Sequence, residues 1–278
     1  MPVVEEALHI AGIQKKQLDA VAYTQSPGLI GSLLVGSCFA KSFAQALQIP
    51  TIAVNHMEAH VLANLIEEPQ PRFPFLCLTV SGGHTQIVIC RSPLSQEIIG
   101  TTIDDAAGEA FDKSAKMLGL PYPGGPLVDK FAKLGNPLAF KFAEPNMSEL
   151  NFSFSGLKTS ILYFLQAQTK LDEHFIKNNL NDLCASIQHT IIKILMKKLV
   201  LASKQHNIQE ICIAGGVSAN SRLRSTLTEF GAKYKWNTYI PKFEYCTDNA
   251  GMIAMTAYYK FINKQFSSLE KIASARVS

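Results

Sequence analysis

Thr51-Ile52-Ala53-Val54-Asn55-His56-Met57-Glu58-Ala59-His60 passes from an apolar run, through a good helix N-cap at Asn55, into a segment with histidines four apart. Thr51–Val54 reads as a short strand and the stretch from about Asn55 as a helix. Working back towards the N-terminus, Leu29 to Leu47 reads as a long helix rich in small residues. Ser26-Pro27-Gly28 reads as a turn, Asp19 to Thr24 as a strand, and Val3 to Ala11 as a helix with apolar spacing at Val4, Leu8 and Ala11. The first 70 or so residues therefore run α-β-α-β-α, a pattern that places helices on the faces of a sheet.

Working forward, the composition changes at Glu67-Glu68-Pro69-Gln70-Pro71, a linker candidate. Phe75–Val80 and Gln86–Cys90 read as strands of a hairpin joined by Ser81-Gly82-Gly83-His84-Thr85. Asp105 to Leu118 reads as a helix, Pro121 to Pro126 as a rigid turn, and Asn181 to His206 as a long helix. Gln209–Ala214 is a strand that runs into Gly215-Gly216 and a helix near Asn220. A last helix runs from Asn249 towards Lys260, with Asp248 as its N-cap.

With 278 residues, 47% of them hydrophobic and 17% charged, the chain is long enough for one large domain or two joined lobes and is too apolar to be disordered. The net charge of +4 permits contact with a polyanion without demanding it. Lys193, Lys197, Lys198 and Lys204 read as a solvated helix face. The six cysteines form no CxxC pair and several lie inside apolar runs, the pattern of reduced core thiols. Met1-Pro2-Val3-Val4-Glu5-Glu6 has no basic or apolar leader region, and the apolar stretch Gly28–Ala40 is too short to span a bilayer. These features predict a cytoplasmic protein with no membrane partner.

His56 and His60 fall on one helix face with Cβ atoms about 6 Å apart, close enough to share a metal ion. Two unrelated surface histidines fit the bare spacing equally well. Glu58, two residues past His56, lies about 200° round the helix from it. That position excludes the H-E-x-x-H arrangement of a zinc protease. Asp248 offers a carboxylate as a third ligand, and two histidines with one carboxylate suit Fe²⁺ or Zn²⁺. The Ser81–His84 loop and the Gly215-Gly216 strand–helix junction can each bare backbone N–H groups to an anion, or serve as ordinary turns. Tyr122-Pro123-Gly124-Gly125-Pro126 with Asp129 is either a structural turn or a grip on a ribose. Asp105, Glu109 and Asp112 lie at helical spacing and read as a cleft-facing set or a solvated acidic face. Neither GxGxxG nor GK[ST] occurs, which argues against a Rossmann dehydrogenase and a P-loop enzyme.

Taken in order, HMEAH, VSGGHTQ, DDAAGEAFDK, YPGGP, FSFSGLKT, GGVSAN and TDNAGMIA resemble the TsaD/Kae1 family, once called Gcp or O-sialoglycoprotein endopeptidase. The resemblance runs from about Pro2 to Tyr259, and His84 resembles the bacterial and mitochondrial branch. It implies an α/β fold of the two-lobed actin/Hsp70/sugar-kinase (ASKHA) type. Residues 1–72 would form the remainder of an N-terminal lobe, 73–248 the C-terminal lobe, and 249–278 a helix returning to the first lobe. The implied activity is transfer of threonylcarbamoyl from threonylcarbamoyl-AMP to N6 of adenosine 37 in tRNAs reading ANN codons. The resemblance implies that His56, His60 and Asp248 bind one divalent metal, Fe²⁺ in preference to Zn²⁺. It also implies that Val80, Ser81, Gly82, Gly83 and His84 line the substrate loop, and that Asp112, Gly125, Asp129 and Asn220 contact the adenylate. No residue is assigned as a general base. The implied partners are tRNA, a TsaB-like paralogue in a heterodimer and a TsaE-like ATPase.

Members of the family begin with a strand-and-hairpin segment ahead of the point matching Met1, so the first lobe's sheet is expected to be incomplete and the chain, as given, poorly active. The competing readings are a carbamoyltransferase of the same fold acting on a small molecule, and an inactive scaffold or binding partner.

Overall fold

A computed structural model describes residues 2–145 and 147–276. The chain divides into two compact units, Met1–Leu62 with Asn249–Ser278, and Ala63–Asp248.

In the first unit, α1 (Pro2–Ala11) precedes β1 (Val21–Ser26), α2 (Ile30–Leu47), β2 (Thr51–Asn55) and α3 (His56–Leu62). The strands β1 and β2 pair in parallel, Val21 opposite Thr51 and Thr24 opposite Val54. Parallel neighbours need a crossover, and α2 supplies it. The buried residues of α2 are Leu33, Ser37, Ala40 and Ala44, a stripe at helical spacing. The helix runs 18 residues to Leu47, as the sequence reading of Leu29 to Leu47 expected. The apolar stretch read as too short to span a bilayer lies in a helix that, by length and composition alone, is apolar enough to cross a membrane.

The second unit is built on a five-stranded sheet ordered β5-β4-β3-β6-β7. Its strands are β3 (Phe75–Val80), β4 (Thr85–Ser92), β5 (Ser95–Thr101), β6 (Glu210–Ala214) and β7 (Asn237–Tyr239). The hairpin β3–β4 is antiparallel, whereas β6 runs parallel to β3. Every residue of β3 and β6 is buried, as expected of apolar strands covered on both faces. The helices are α4 (Ala107–Met117), α5 (Gly124–Ala132), α6 (Ser155–Leu171), α7 (Phe175–Asn178), α8 (Leu180–His206), α9 (Ser221–Tyr234) and α10 (Phe243–Cys246). Phe111, Phe152, Phe154, Leu157 and Ile187 anchor the core. The chain then returns to the first unit as α11 (Ala250–Ile262).

Three local expectations need correction. The turn at Pro121–Pro126 opens into α5 at Gly124, because the Asp112 carboxylate accepts from the N–H groups of both Gly124 and Gly125 and starts the helix. The helix expected from Asp105 starts at Ala107, because Asp104 and Asp105 are used by tertiary contacts. The N-cap of α11 is Asn249, whose side chain accepts from Met252 N, and not Asp248.

Candidate functional site

In the first unit, the Asn55 side chain accepts from Met57 N at 2.8 Å and Glu58 N at 3.2 Å, and so launches α3 as its sequence requires. One turn separates His56 from His60, and their rings lie edge to face with centroids 4.6 Å apart. His60 is 1% exposed. Asp248 stands immediately before Asn249, where the chain re-enters this unit. With capping assigned to Asn249, a ligand atom from each of His56, His60 and Asp248 lies within 4.8 Å of the others. Bonds of about 2.0–2.2 Å to one shared ion would draw these atoms closer together. Two imidazoles and a carboxylate are also the right donors for a borderline divalent ion. Glu58 points elsewhere: its carboxylate lies 3.9 Å from Lys260 Nζ and is 45% exposed.

In the second unit, β3 and β6 are parallel neighbours with Thr79 opposite Ala214, so their carboxyl ends release two glycine loops side by side. Ligands of open α/β sheets collect at such ends. The first loop follows Val80 and closes through Ser81 N donating to His84 O at 2.8 Å and His84 N donating to Ser81 Oγ at 3.1 Å. Side chains at Gly82 and Gly83 would meet open space, so their backbone is approachable. The second loop begins at Gly215, where φ is +84° and a Cβ would stand 2.5 Å from the Val80 carbonyl oxygen; glycine is required on both counts.

Asp112, Gly125, Asp129 and Asn220 are tied together in the same unit. Asp112 on α4 holds Gly125 N at 3.0 Å. Asp129 on α5 accepts from Ser221 Oγ at 2.8 Å and from Ser221 N at 3.2 Å, at the start of α9. Asn220 caps α9 through Arg222 N and Leu223 N, and donates to Gln188 Oε1 of α8 at 2.6 Å. Both aspartates thus present helix starts at fixed positions, which suits a rigid binding wall. Gln188 and Ser221 were not singled out in the sequence. Their polar atoms signal nothing until α8 and α9 are packed.

Asp104 and Asp105, just ahead of α4, are engaged in structural contacts. Burial alone would raise the Asp104 carboxyl, but hydrogen bonds from Ser153 Oγ, Phe154 N and Ser155 Oγ outweigh it and hold the group below its ordinary value. The Lys113 ammonium, bonded to Asp105 at 2.8 Å, holds that carboxyl down as well, with Lys158 adding to the effect. Glu109 pairs with the same Lys113. These contacts fasten the start of α6 to the segment leading into α4.

A family model described as "TsaD: tRNA N6-adenosine threonylcarbamoyltransferase" matches residues 1–255. The chain belongs to the TsaD family. A relative carrying that enzyme name from Christiangramia forsetii is 55% identical over 279 residues, covering 99% of this chain and 82% of the relative. Another from Porphyromonas gingivalis is 54% identical and is covered to 83%. Among solved structures, full-length HypF in a phosphate- and nucleotide-bound form matches 96% of this chain and 42% of its own with a TM-score of 0.66 at 14% identity, a likeness of fold alone. The Acidaminococcus fermentans (R)-2-hydroxyglutaryl-CoA dehydratase component A matches with a TM-score of 0.51. The TsaD membership makes the chain a transferase with an ASKHA-type α/β fold.

Proposed function

We propose that this chain transfers the threonylcarbamoyl group of threonylcarbamoyl-AMP to N6 of adenosine 37 in tRNAs reading ANN codons, forming t6A. Family membership across residues 1–255 carries the reading, and the enzyme name shared by relatives about half identical supports it. The attacking group is the exocyclic amine. Its lone pair forms a bond to the carbamoyl carbon while the carbon–oxygen bond to the phosphate breaks; AMP departs with the electron pair, and the N6 nitrogen releases one proton to solvent.

Each part of the site suits one task. The backbone between Val80 and His84 would receive the phosphate whose charge grows as AMP leaves. Asp112, Gly125, Asp129 and Asn220 would frame the adenylate. His56, His60 and Asp248 would hold one divalent cation, Fe²⁺ in preference to Zn²⁺, which when bound supplies a Lewis acid and a fixed anchor for the donor. The reading places the chain in the cytoplasm, in keeping with free, mostly buried cysteines. It also brings a TsaB-like partner and a TsaE-like ATPase. Leu34, Val35 and Phe39 of α2 are exposed and offer an apolar face that a heterodimer partner would cover.

The test gives the purified chain, with its metal content measured, labelled threonylcarbamoyl-AMP and unmodified tRNA. Label should move to tRNA, and His56→Ala should remove the metal and cut the rate by at least about 100-fold. Undiminished metal in that variant would sink the ligand assignment. Label accepted by small hydroxylated compounds instead of tRNA would overturn the substrate.

A further inference from the structure

We propose that Thr85 is a positioning residue that fixes the Ser81–His84 loop in its phosphate-binding shape. The proposal rests on the reading that this loop receives the donor's phosphate. Thr85 is the first residue of β4, pairs with Val80 and is fully buried, so it cannot touch a ligand itself. Its Oγ1 accepts from Ala107 N at 2.8 Å, and its carbonyl accepts from Thr102 N at 2.9 Å. Thr102 Oγ1 in turn donates to Asp105 O at 2.7 Å.

The first N–H groups of a helix have no intrahelical acceptor. At the start of α4 the N-cap is Ala106, which has no side-chain oxygen to offer. The Thr85 hydroxyl supplies that acceptor from another element. The consequence reaches the loop through Gly108, one residue into α4. A Cβ there would collide with the Ser81 carbonyl and the Gly82 Cα, so the helix and the loop are in direct backbone contact. Among the described residues, a Cβ added at Gly82 or Gly83 would meet no atom within 4 Å. A two-glycine loop without such a brace samples many conformations, and each must be lost again when an anion binds. The Thr85 hydroxyl therefore orders the loop beforehand by locking the helix that leans on it.

The test compares AMP with adenosine, which differ only in the phosphate, by calorimetric titration of the chain. Thr85→Val keeps the shape of the side chain and removes the acceptor. It should weaken AMP binding about tenfold while adenosine changes by less than about twofold. Thr85→Ser, which retains the hydroxyl, should restore AMP binding. Gly108→Ala leaves Thr85 intact but presses a methyl group on Ser81, and should reproduce the AMP-selective loss even if the valine variant folds poorly. Unchanged AMP binding in Thr85→Val and Gly108→Ala would overturn the proposal. So would equal weakening of AMP and adenosine, the signature of general damage. A wild-type chain that binds AMP no more tightly than adenosine would instead overturn the phosphate reading of the loop, and Thr85's role with it.

Discussion

The two units are built to different standards. In the Ala63–Asp248 unit, β3 and β6 are buried at every position, and Phe111, Phe152, Phe154 and Leu157 fill a continuous core. In the other unit the sheet has two strands among the described residues, α1 buries no side chain, and Leu34 and Val35 of α2 stand exposed. One small cluster there joins Tyr23, Ala40 and Ala53. Among the described residues the buried Tyr23 hydroxyl has no hydrogen-bond partner, and burial pushes its pKa up. The helix that carries His56 and His60, the proposed metal ligands, thus belongs to the more weakly packed unit, while the glycine loops belong to the strongly packed one. Helix stability in proteins comes mainly from packing an apolar face, so the two halves of the chemistry should differ in how readily they open.

The largest effect that tests this contrast is a cavity in the strong core. Trp236, the single tryptophan, is buried in the Ala63–Asp248 unit and reports its unfolding by fluorescence. Phe152→Ala should lower the free energy of that transition by about 3–5 kcal/mol. Hydrogen exchange at Thr51–Asn55 reports the other unit, and those amides should open at lower denaturant than the Trp236 transition, in wild type and variant alike. A single coincident transition for both probes would abolish the contrast.

The next effect is read on α3, which carries two of the three proposed ligands; the third, Asp248, is the last residue of the other unit. A ligand that binds the folded state at a hundred times its Kd adds about 2.7 kcal/mol. Saturating Fe²⁺ or Zn²⁺ should therefore raise the protection of amides in α3 by about that amount, and His60→Ala should erase the gain. Metal that leaves the α3 amides unprotected, or a gain that survives His60→Ala, would remove the ligand assignment on that helix.

The sequence disclosed the parts of each unit unevenly, for physical reasons. Strands with unbroken apolar runs, such as Phe75–Val80, and helices with strong caps, such as the one after Asn55, lie where periodicity and capping put them. β5 escaped because Ser95–Thr101 is an edge strand with a single buried residue and little apolar content, and its pairing with β4 leaves no mark in the local sequence. α5 escaped because its start depends on Asp112, twelve residues earlier than Gly124. Asp248 was misread as a cap because the neighbouring Asn249 competes for the same role, and only the geometry shows which one took it. The lysines of α8 read as solvated, yet Lys193 bonds Glu144 and Lys198 donates to the carbonyls of Met147 and Glu149. Motif residues were legible because each motif carries its own local chemistry. The braces behind them, Thr85, Gln188 and Ser221, were not, because their partners lie on other elements.

The smallest effect concerns a charge at the edge of the strong unit, where the pH dependence has a definite sign. Burial alone would raise the Glu210 carboxyl, but hydrogen bonds from Tyr239 at 2.6 Å, Asn237 at 2.6 Å and Arg72 at 3.1 Å hold it down at about 2. Its ordinary value is 4.5, so the folded state favours the ionised form. The stabilisation is complete above about pH 5 and is lost as pH falls from there towards 2. Glu210→Gln should cost about 2 kcal/mol in the Trp236 transition at neutral pH and flatten its dependence below pH 5. The Thr51–Asn55 amides should not change, since every partner of Glu210 lies in its own unit. Arg72 is 80% exposed, so solvent screens its share, and Arg72→Ala should cost no more than about 1 kcal/mol. If the arginine proves as costly as the glutamate, the carboxylate is held by a surface ion pair and not by Tyr239 and Asn237. The protection credited to the strong unit would then stop short of its last strand.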